Sequence, residues 1–293
     1  MGLPLIGMPQ ASGIALEMSD GGGGVIPDAD KFWSVQSSNY WDGLTSFSIM
    51  FWYDSHLFGF QDQMGYFSAY YSDSSNNIEG IALYQYNATI FLGCGNGTST
   101  LQTLDQVNFA GYYYATGFSR GKATSPRICV CASWDSAGSG KSTIAAYNVG
   151  RESVGTRVSN TTTSNRTTAL GDIGTNTDVR LGQLYNGTDI LWPMRPWYTI
   201  RGAKFWKNQY LDLDDFDSIV GYTPGVNNKQ IKGIKDATKF HGGSTGIANP
   251  NKDWQIADDG SGNNKLGLRD IGSDTAQHMT TTTGSQIGRF IKY

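Results

Sequence analysis

From Ser46 to Tyr53 the chain alternates. Phe47, Ile49, Phe51 and Tyr53 fall on one face of an extended segment, and Ser48, Met50 and Trp52 on the other, which is the period of two of a pleated strand. Both faces carry bulky groups, so the pattern predicts an inner strand covered on both sides rather than a solvent-facing edge. The alternation recurs through Ile128, Val130, Ala132 and Trp134, gives way to a small, polar run from Asp135 to Ser142, and resumes from Thr143 to Val149. That succession predicts a hairpin. A further strand through Ile200 and Phe205 leads into a short helical turn. There Asp214, Asp215 and Asp217 suit the positive N-terminal end, Phe216, Ile219 and Val220 form one apolar stripe, and Gly221 supplies a stop.

Composition adds bounds to this pattern. A length of 293 residues allows one large β domain, and 38 glycines with abundant Ser, Thr and Asn fit many short strands and turns. An aromatic content of 13% argues for a packed core. A net charge of −3 with 16% charged residues gives no basic footprint, which excludes nucleic acid as the expected partner. No apolar run approaches the roughly 20 residues of a membrane span, so no membrane partner is expected. The first residues also lack the charged and apolar regions of a secretory leader. Cys94, Cys129 and Cys131 make an odd count, with two of them on one face of one strand, and are read as reduced structural thiols. The five N-x-S/T sequons at Asn87, Asn96, Asn160, Asn165 and Asn186 are read as accidental in so Asn- and Thr-rich a chain.

Five segments then occur in one order: ALEMSDGGGGVIPD, LTSFSIMFWYD, RICVCASWDSAGSGKSTIAAYNVG, DVRLGQLYNG and IRGAKFWKNQYLDLDDFDSIVGY. This order resembles the concanavalin A-like lectin and glucanase superfamily, in its laminin-G-like branch. The resemblance is carried by Ala15, Leu16, Val25, Ile26 and Pro27, then Phe47, Ile49, Phe51 and Trp52, then Trp134 with Asp135 and Leu181 with Gly182. It closes on Ile200, Ala203, Phe205, Trp206, Asn208, Leu211 and Asp212. The chain departs from the pattern at Ser19, Asp20 and the four glycines that follow, and in the long segment after the helical turn. The resemblance implies an all-β fold, an antiparallel two-sheet jelly-roll sandwich over residues 1–224 with one short helical turn. A C-terminal extension over 225–293 would pack on the sandwich or on a neighbouring subunit.

Candidate chemistry is sparse. The run Ala137 to Thr143, AGSGKST, looks like a phosphate loop, but Asp135 stands where the first glycine belongs and Thr143 to Val149 lack helix character, so a hairpin turn is the better reading. Glucanases of this superfamily use a close pair of carboxylates. Here Glu17, Glu79 and Glu152 each stand alone, and no enzymatic activity is expected. His56, His241 and His278 show no metal spacing, and no metal site is assigned. No cofactor is expected. Calcium is the alternative, through the oxygen-rich loops Asn249 to Asp253 and Asp258 to Asn264, although the second lacks the closing Glu of a calcium loop.

Aromatic residues in loop-like segments supply the ligand candidates. Trp192, Trp197, Tyr198 and Trp41, with Phe32, Trp33 and Tyr40 nearby, would stack on a sugar or anchor a protein interface unless they plug the core. The extension carries Trp254 followed by D-D-G-S-G, which resembles tails that follow such sandwiches in bacteriophage structural proteins. Its closing Arg289, Phe290, Ile291 and Tyr293 read as a docking arm or added edge strand. The resemblance implies a non-enzymatic virion structural or decoration protein on the virion surface, made in the host cytoplasm. Its partners would be capsid or other virion proteins, copies of itself and a cell-surface glycan. A carbohydrate-binding module is the alternative, and a glycan-active hydrolase the third reading.

Overall fold

The computed structural model describes residues 14–17, 33–55, 63–87, 89–95, 97–98, 101–108, 127–149, 156–164, 166–188, 190–193, 198–225, 246–258, 266–279 and 290–292. These residues form an all-β antiparallel sandwich of two sheets with one short α-helix. In chain order the strands are β1 (Ile14–Glu17), β2 (Trp33–Gln36), β3 (Ser46–Ser55), β4 (Gln63–Ser72), β5 (Ile78–Tyr86) and β6 (Thr89–Cys94). Next come β7 (Gln102–Asn108), β8 (Arg127–Asp135), β9 (Lys141–Val149), β10 (Thr156–Thr162), β11 (Asp178–Leu181) and β12 (Gln183–Tyr185). The last are β13 (Ile190–Pro193), β14 (Tyr198–Lys207), β15 (Lys252–Asp258), β16 (Leu266–Asp270) and β17 (Phe290–Lys292). Short flanking strands and the small β12–β13 pair add to the two main sheets.

The first sheet runs β10-β9-β8-β3-β14-β1-β17, with β15 and β16 added beside β14, and the second runs β2-β11-β4-β5-β6-β7. The strand read from the 46–53 alternation lies at the centre of the first sheet, between β8 and β14. Its Phe47, Ile49, Phe51 and Tyr53 enter the core between the sheets with Ile128, Val130, Ala132 and Trp134 of β8. The second sheet contributes Phe67, Ile81, Leu83, Leu92 and Val179 to that core.

The opposite face of the first sheet is also covered. Met50, Trp52, Cys129, Cys131, Tyr147 and Trp206 pack there against Phe216, Ile219 and Val220 of α1 (Leu213–Val220), together with Ile247. This second layer explains why β3 is bulky on both faces. All three cysteines are buried and unbonded, and Cys129 Sγ lies 3.6 Å from Cys131 Sγ. Gly80, within β5, has φ +93° and lies so close to β4 that a Cβ would fall 2.0 Å from the Ala69 carbonyl oxygen. Only glycine meets both conditions.

Helix α1 begins on a reciprocal cap. The Asp212 side chain accepts from the Asp215 backbone N–H at 2.9 Å, Asp215 accepts from the Asp212 N–H at 3.1 Å, and Gly221 closes the helix in the left-handed region. Asp217 has a different role from the helix-start residue expected of it. It is buried, and its carboxylate accepts from the Tyr147 hydroxyl at 2.8 Å and pairs with Arg157. The helix is thereby tied to β9 and β10.

The described part of the C-terminal segment joins the sandwich. Strand β15 pairs with β14, β16 pairs with β15, and Trp254, Leu268 and Met279 lie in the main core. Strand β17 pairs with β1, placing Phe290 opposite Leu16 and Ile291 opposite Ala15.

Candidate functional site

An open cavity of about 500 Å³ lies where the C-terminal segment meets the sandwich, lined by Ser38, Tyr40, Lys252, Asp274, Thr275 and Gln277. Local chemistry fixes each wall. Ser38 caps the 3₁₀ turn Asn39–Trp41, its hydroxyl accepting from the Tyr40 N–H at 3.4 Å. The turn is held from the other side by Asp42, which accepts from the backbone N–H groups of Ile173 and Gly174, both at 2.8 Å. The opposite wall is organised by Asp270, whose carboxylate accepts from the N–H groups of Asp253, Gly272 and Gln277, each at 2.9 Å. Lys252 Nζ lies 3.4 Å from Asp270 Oδ2 and also donates to the Thr275 carbonyl. Trp254 Nε1 donates to the Gln277 carbonyl at 2.8 Å, and Asn251 Nδ2 donates to Asp274 at 3.2 Å. Gln277 Nε2 donates across the cavity to Ser38 Oγ at 3.4 Å.

Two polar atoms on this lining stand out. The Tyr40 hydroxyl and Gln277 Oε1 are both buried, Gln277 Oε1 without a hydrogen-bond partner and the Tyr40 hydroxyl beside the Asp274 carboxylate but outside hydrogen-bonding geometry with it. Burial first, then the neighbouring Asp274 carboxylate, pushes the Tyr40 phenol well above its ordinary range. Tyr40 therefore remains a neutral O–H donor at any physiological pH, facing Gln277 as an uncommitted acceptor. The Tyr40 ring is occupied in a different way, with Lys207 Nζ 4.3 Å and Lys252 Nζ 4.6 Å from its centroid. These ammonium groups compete for the ring face on which a sugar would stack.

The residues singled out in the sequence are dispersed. Trp41 is 1% exposed and stacks on Trp254, with ring centroids 6.3 Å apart, inside the main core. That corrects the expectation of an accessible ring, since Trp41 plugs the sandwich and its neighbour Tyr40 faces the cavity. Trp192 lies on β13 opposite Leu184, and Tyr198 opens β14 opposite Ser55. The side chains of Trp192, Tyr198, Phe290 and Ile291, and the whole of Trp197, Arg289 and Tyr293, lie outside the described residues.

The phosphate-loop-like run is the β8–β9 turn. Asp135 accepts from the Ala137 N–H at 2.9 Å, and Lys141 lies 3.8 Å from Asp135 and 4.0 Å from the centre of the Tyr210 ring. In the 249–253 loop, Asp253 is paired with Lys204 at 2.5 Å and Asn251 Oδ1 accepts from the Lys207 N–H at 2.6 Å. Of the 258–264 loop, only residue 258 is described. Among the described residues, no three His, Cys, Asp or Glu side chains gather in a metal-binding arrangement. No helix among them is long and apolar enough to cross a membrane.

No protein-family model matches the chain, and no curated protein matches it. Solved structures give shallow likenesses. The Ruminococcus gnavus IT-sialidase CBM40 bound to alpha2,3 sialyllactose is 14% identical over 70% of this chain and 95% of that one, with a TM-score of 0.39. A leech intramolecular trans-sialidase is 17% identical over 66% of this chain and 27% of its own, with a TM-score of 0.40. The receptor binding domain of botulinum neurotoxin C/D mosaic serotype is 14% identical over 88% of this chain and 56% of its own, with a TM-score of 0.37. Likenesses at this identity and overlap do not bear on what this chain binds.

Proposed function

We propose that the chain is a non-catalytic carbohydrate-binding module whose site is the cavity between the Asn39–Trp41 turn, the start of β15 and residues 274–277. The observation that carries this reading is the pair of buried, unbonded polar atoms, Tyr40 Oη and Gln277 Oε1, on one open lining. An unsatisfied buried polar group costs about 1–3 kcal/mol, and a sugar hydroxyl, which both donates and accepts, relieves a donor and an acceptor together. Because Lys207 and Lys252 lie over the Tyr40 ring, recognition would run through hydrogen bonds to ring edges rather than through stacking. Among the described residues of the lining, Asp274 is the one carboxylate, whereas glycoside hydrolysis works with two. That supports binding over cleavage.

Titration calorimetry of the full chain against a panel of oligosaccharides tests the reading. Binding is expected that weakens about tenfold in Tyr40→Phe and in Gln277→Ala, the size of one lost hydrogen bond. Binding indifferent to both substitutions would assign the sugar to another surface. Display on a virion, where many weak contacts add by avidity, belongs to the proposal on the strength of the sequence resemblance alone. Gene neighbours encoding capsid and tail proteins would support it, and a polysaccharide-utilisation cluster would oppose it.

A further inference from the structure

We infer that the cavity selects uncharged or amine-bearing sugars and rejects acidic ones. The inference rests on the carbohydrate reading and adds the ligand's charge class to it. The argument is a balance of the charges on the lining. Lys252 is the lining's cation, and it is already engaged by the Asp270 carboxylate at 3.4 Å and by the Thr275 carbonyl. It is 1% exposed as a side chain and has little left to offer an anion. Lys207, the other nearby cation, donates to the Tyr40 carbonyl at 2.5 Å and lies outside the lining.

Asp274 is in the opposite condition. Its carboxylate lines the cavity, accepts from a neutral group, Asn251 Nδ2, at 3.2 Å, and lies beside the Tyr40 hydroxyl. Among the described residues of the lining, a ligand therefore meets one carboxylate that no cation pairs, one neutral donor in Tyr40 and one neutral acceptor in Gln277. A uronate, sialate or sulfate brought beside Asp274 places like charges within a few ångströms of each other in a partly desolvated space. The repulsion is worth about tenfold in affinity, which corresponds to ~1.4 kcal/mol. A protonated amino sugar in the same place gains an ion pair.

The experiment measures binding of the full chain to three related probes: a neutral oligosaccharide, its uronic acid counterpart and its de-N-acetylated amine counterpart. The expected affinity order is amine, then neutral, then acid, with the acid about tenfold weaker than the neutral sugar at low salt. Asp274→Asn keeps an oxygen to accept from Asn251 and removes the charge. It should bring the acid close to the neutral sugar and remove the advantage of the amine. The unmodified chain gives a second measurement that needs no variant, since raising salt from about 20 to 500 mM should narrow the spread between acid and amine. Equal or tighter binding of the acidic probe would overturn the charge selectivity and leave the carbohydrate reading standing. Failure of all three probes, with every class of a wider neutral panel also failing, would overturn the carbohydrate reading itself.

Discussion

Replacing Asp105 by Asn removes a charge from the seam where the second sheet meets the edge of the first. Asp105, on β7, is 3% exposed. Its Oδ1 accepts from the Gln106 N–H and from Asn160 Nδ2 of β10, both at 2.7 Å, while Oδ2 is buried with no partner. Burial outweighs the hydrogen bonds and pushes the carboxyl from its ordinary 3.8 up to about 6. A raised carboxyl means that the charged form is disfavoured in the folded protein. Below pH 3.8 both folded and unfolded states hold the proton and the group costs nothing. As pH rises through 6 the cost develops fully, to about 3 kcal/mol. About half of it is already present at pH 5, so about 1–2 kcal/mol of stability is lost between pH 5 and pH 8.

The Asn variant keeps an acceptor for both donors and has no charge to bury. Urea unfolding of both proteins at pH 5, 6, 7 and 8 should show the variant gaining about 1–2 kcal/mol on the parent across that range. Taking the difference between the two cancels the three histidines, which titrate in the same window. A stability difference that stays constant from pH 5 to 8 would refute the reasoning.

Gly80→Ala should be among the most damaging single changes, above about 4 kcal/mol, because the new Cβ meets the Ala69 carbonyl at 2.0 Å and Ile173 Cγ2 at 2.8 Å from a left-handed backbone. Loss of a cooperative thermal transition is the readout. Lys204→Met takes the cation from the buried Asp253 carboxylate, both side chains being 1% exposed, and leaves it Gln255 Nε2 at 3.2 Å, a neutral donor; the change should cost about 3–5 kcal/mol. The double variant Lys204→Met/Asp253→Leu should recover most of that in a urea double-mutant cycle. The three cysteines should resist a thiol reagent until the protein unfolds, since all are buried and burial pushes the Cys94 thiol up to about 11 and raises that of Cys131 as well. Rapid labelling of the native protein would contradict that.

The parts of the fold legible in the sequence were those with a single clear period or cap. The centre of the first sheet showed in the alternation of Phe47, Ile49, Phe51 and Tyr53, and the hairpin in the break between Trp134 and Thr143. The helix showed in Asp212 to Gly221, with its stop at Gly221. Strands β4 and β5 left no such mark. Gln63–Ser72 is buried almost throughout, and a bulge between Gly65 and Phe67 puts Tyr66 and Phe67 together in the core, so the alternation is broken where it would be read. The charges of Lys204, Lys252, Asp253 and Asp270 look like solvent-facing positions in the sequence, and their burial follows from pairing across β14, β15 and β16. The cavity was invisible for the same reason. Tyr40, Lys252, Asp274 and Gln277 come from segments joined only by the return of the chain after α1, and the exposed rings sought as ligands drew attention to Trp41, one residue from the side chain that lines it.

The stack of Trp41 on Trp254 also sets the order in which the protein can be made. Trp41, Phe67 and Phe205 surround the place that Trp254 fills, so a nascent chain that has reached α1 carries an incomplete aromatic core and a β14 edge still waiting for β15. Contacts this distant in sequence form slowly, and at synthesis rates of about 5–20 residues per second the gap lasts for seconds. During that interval the half-built sandwich is a substrate for chaperones or for pairing with another copy, and arrival of the Lys252–Asp258 strand ends it. The segment that supplies one wall of the cavity, from Lys252 to Gln277, thus also carries Trp254, which closes the core.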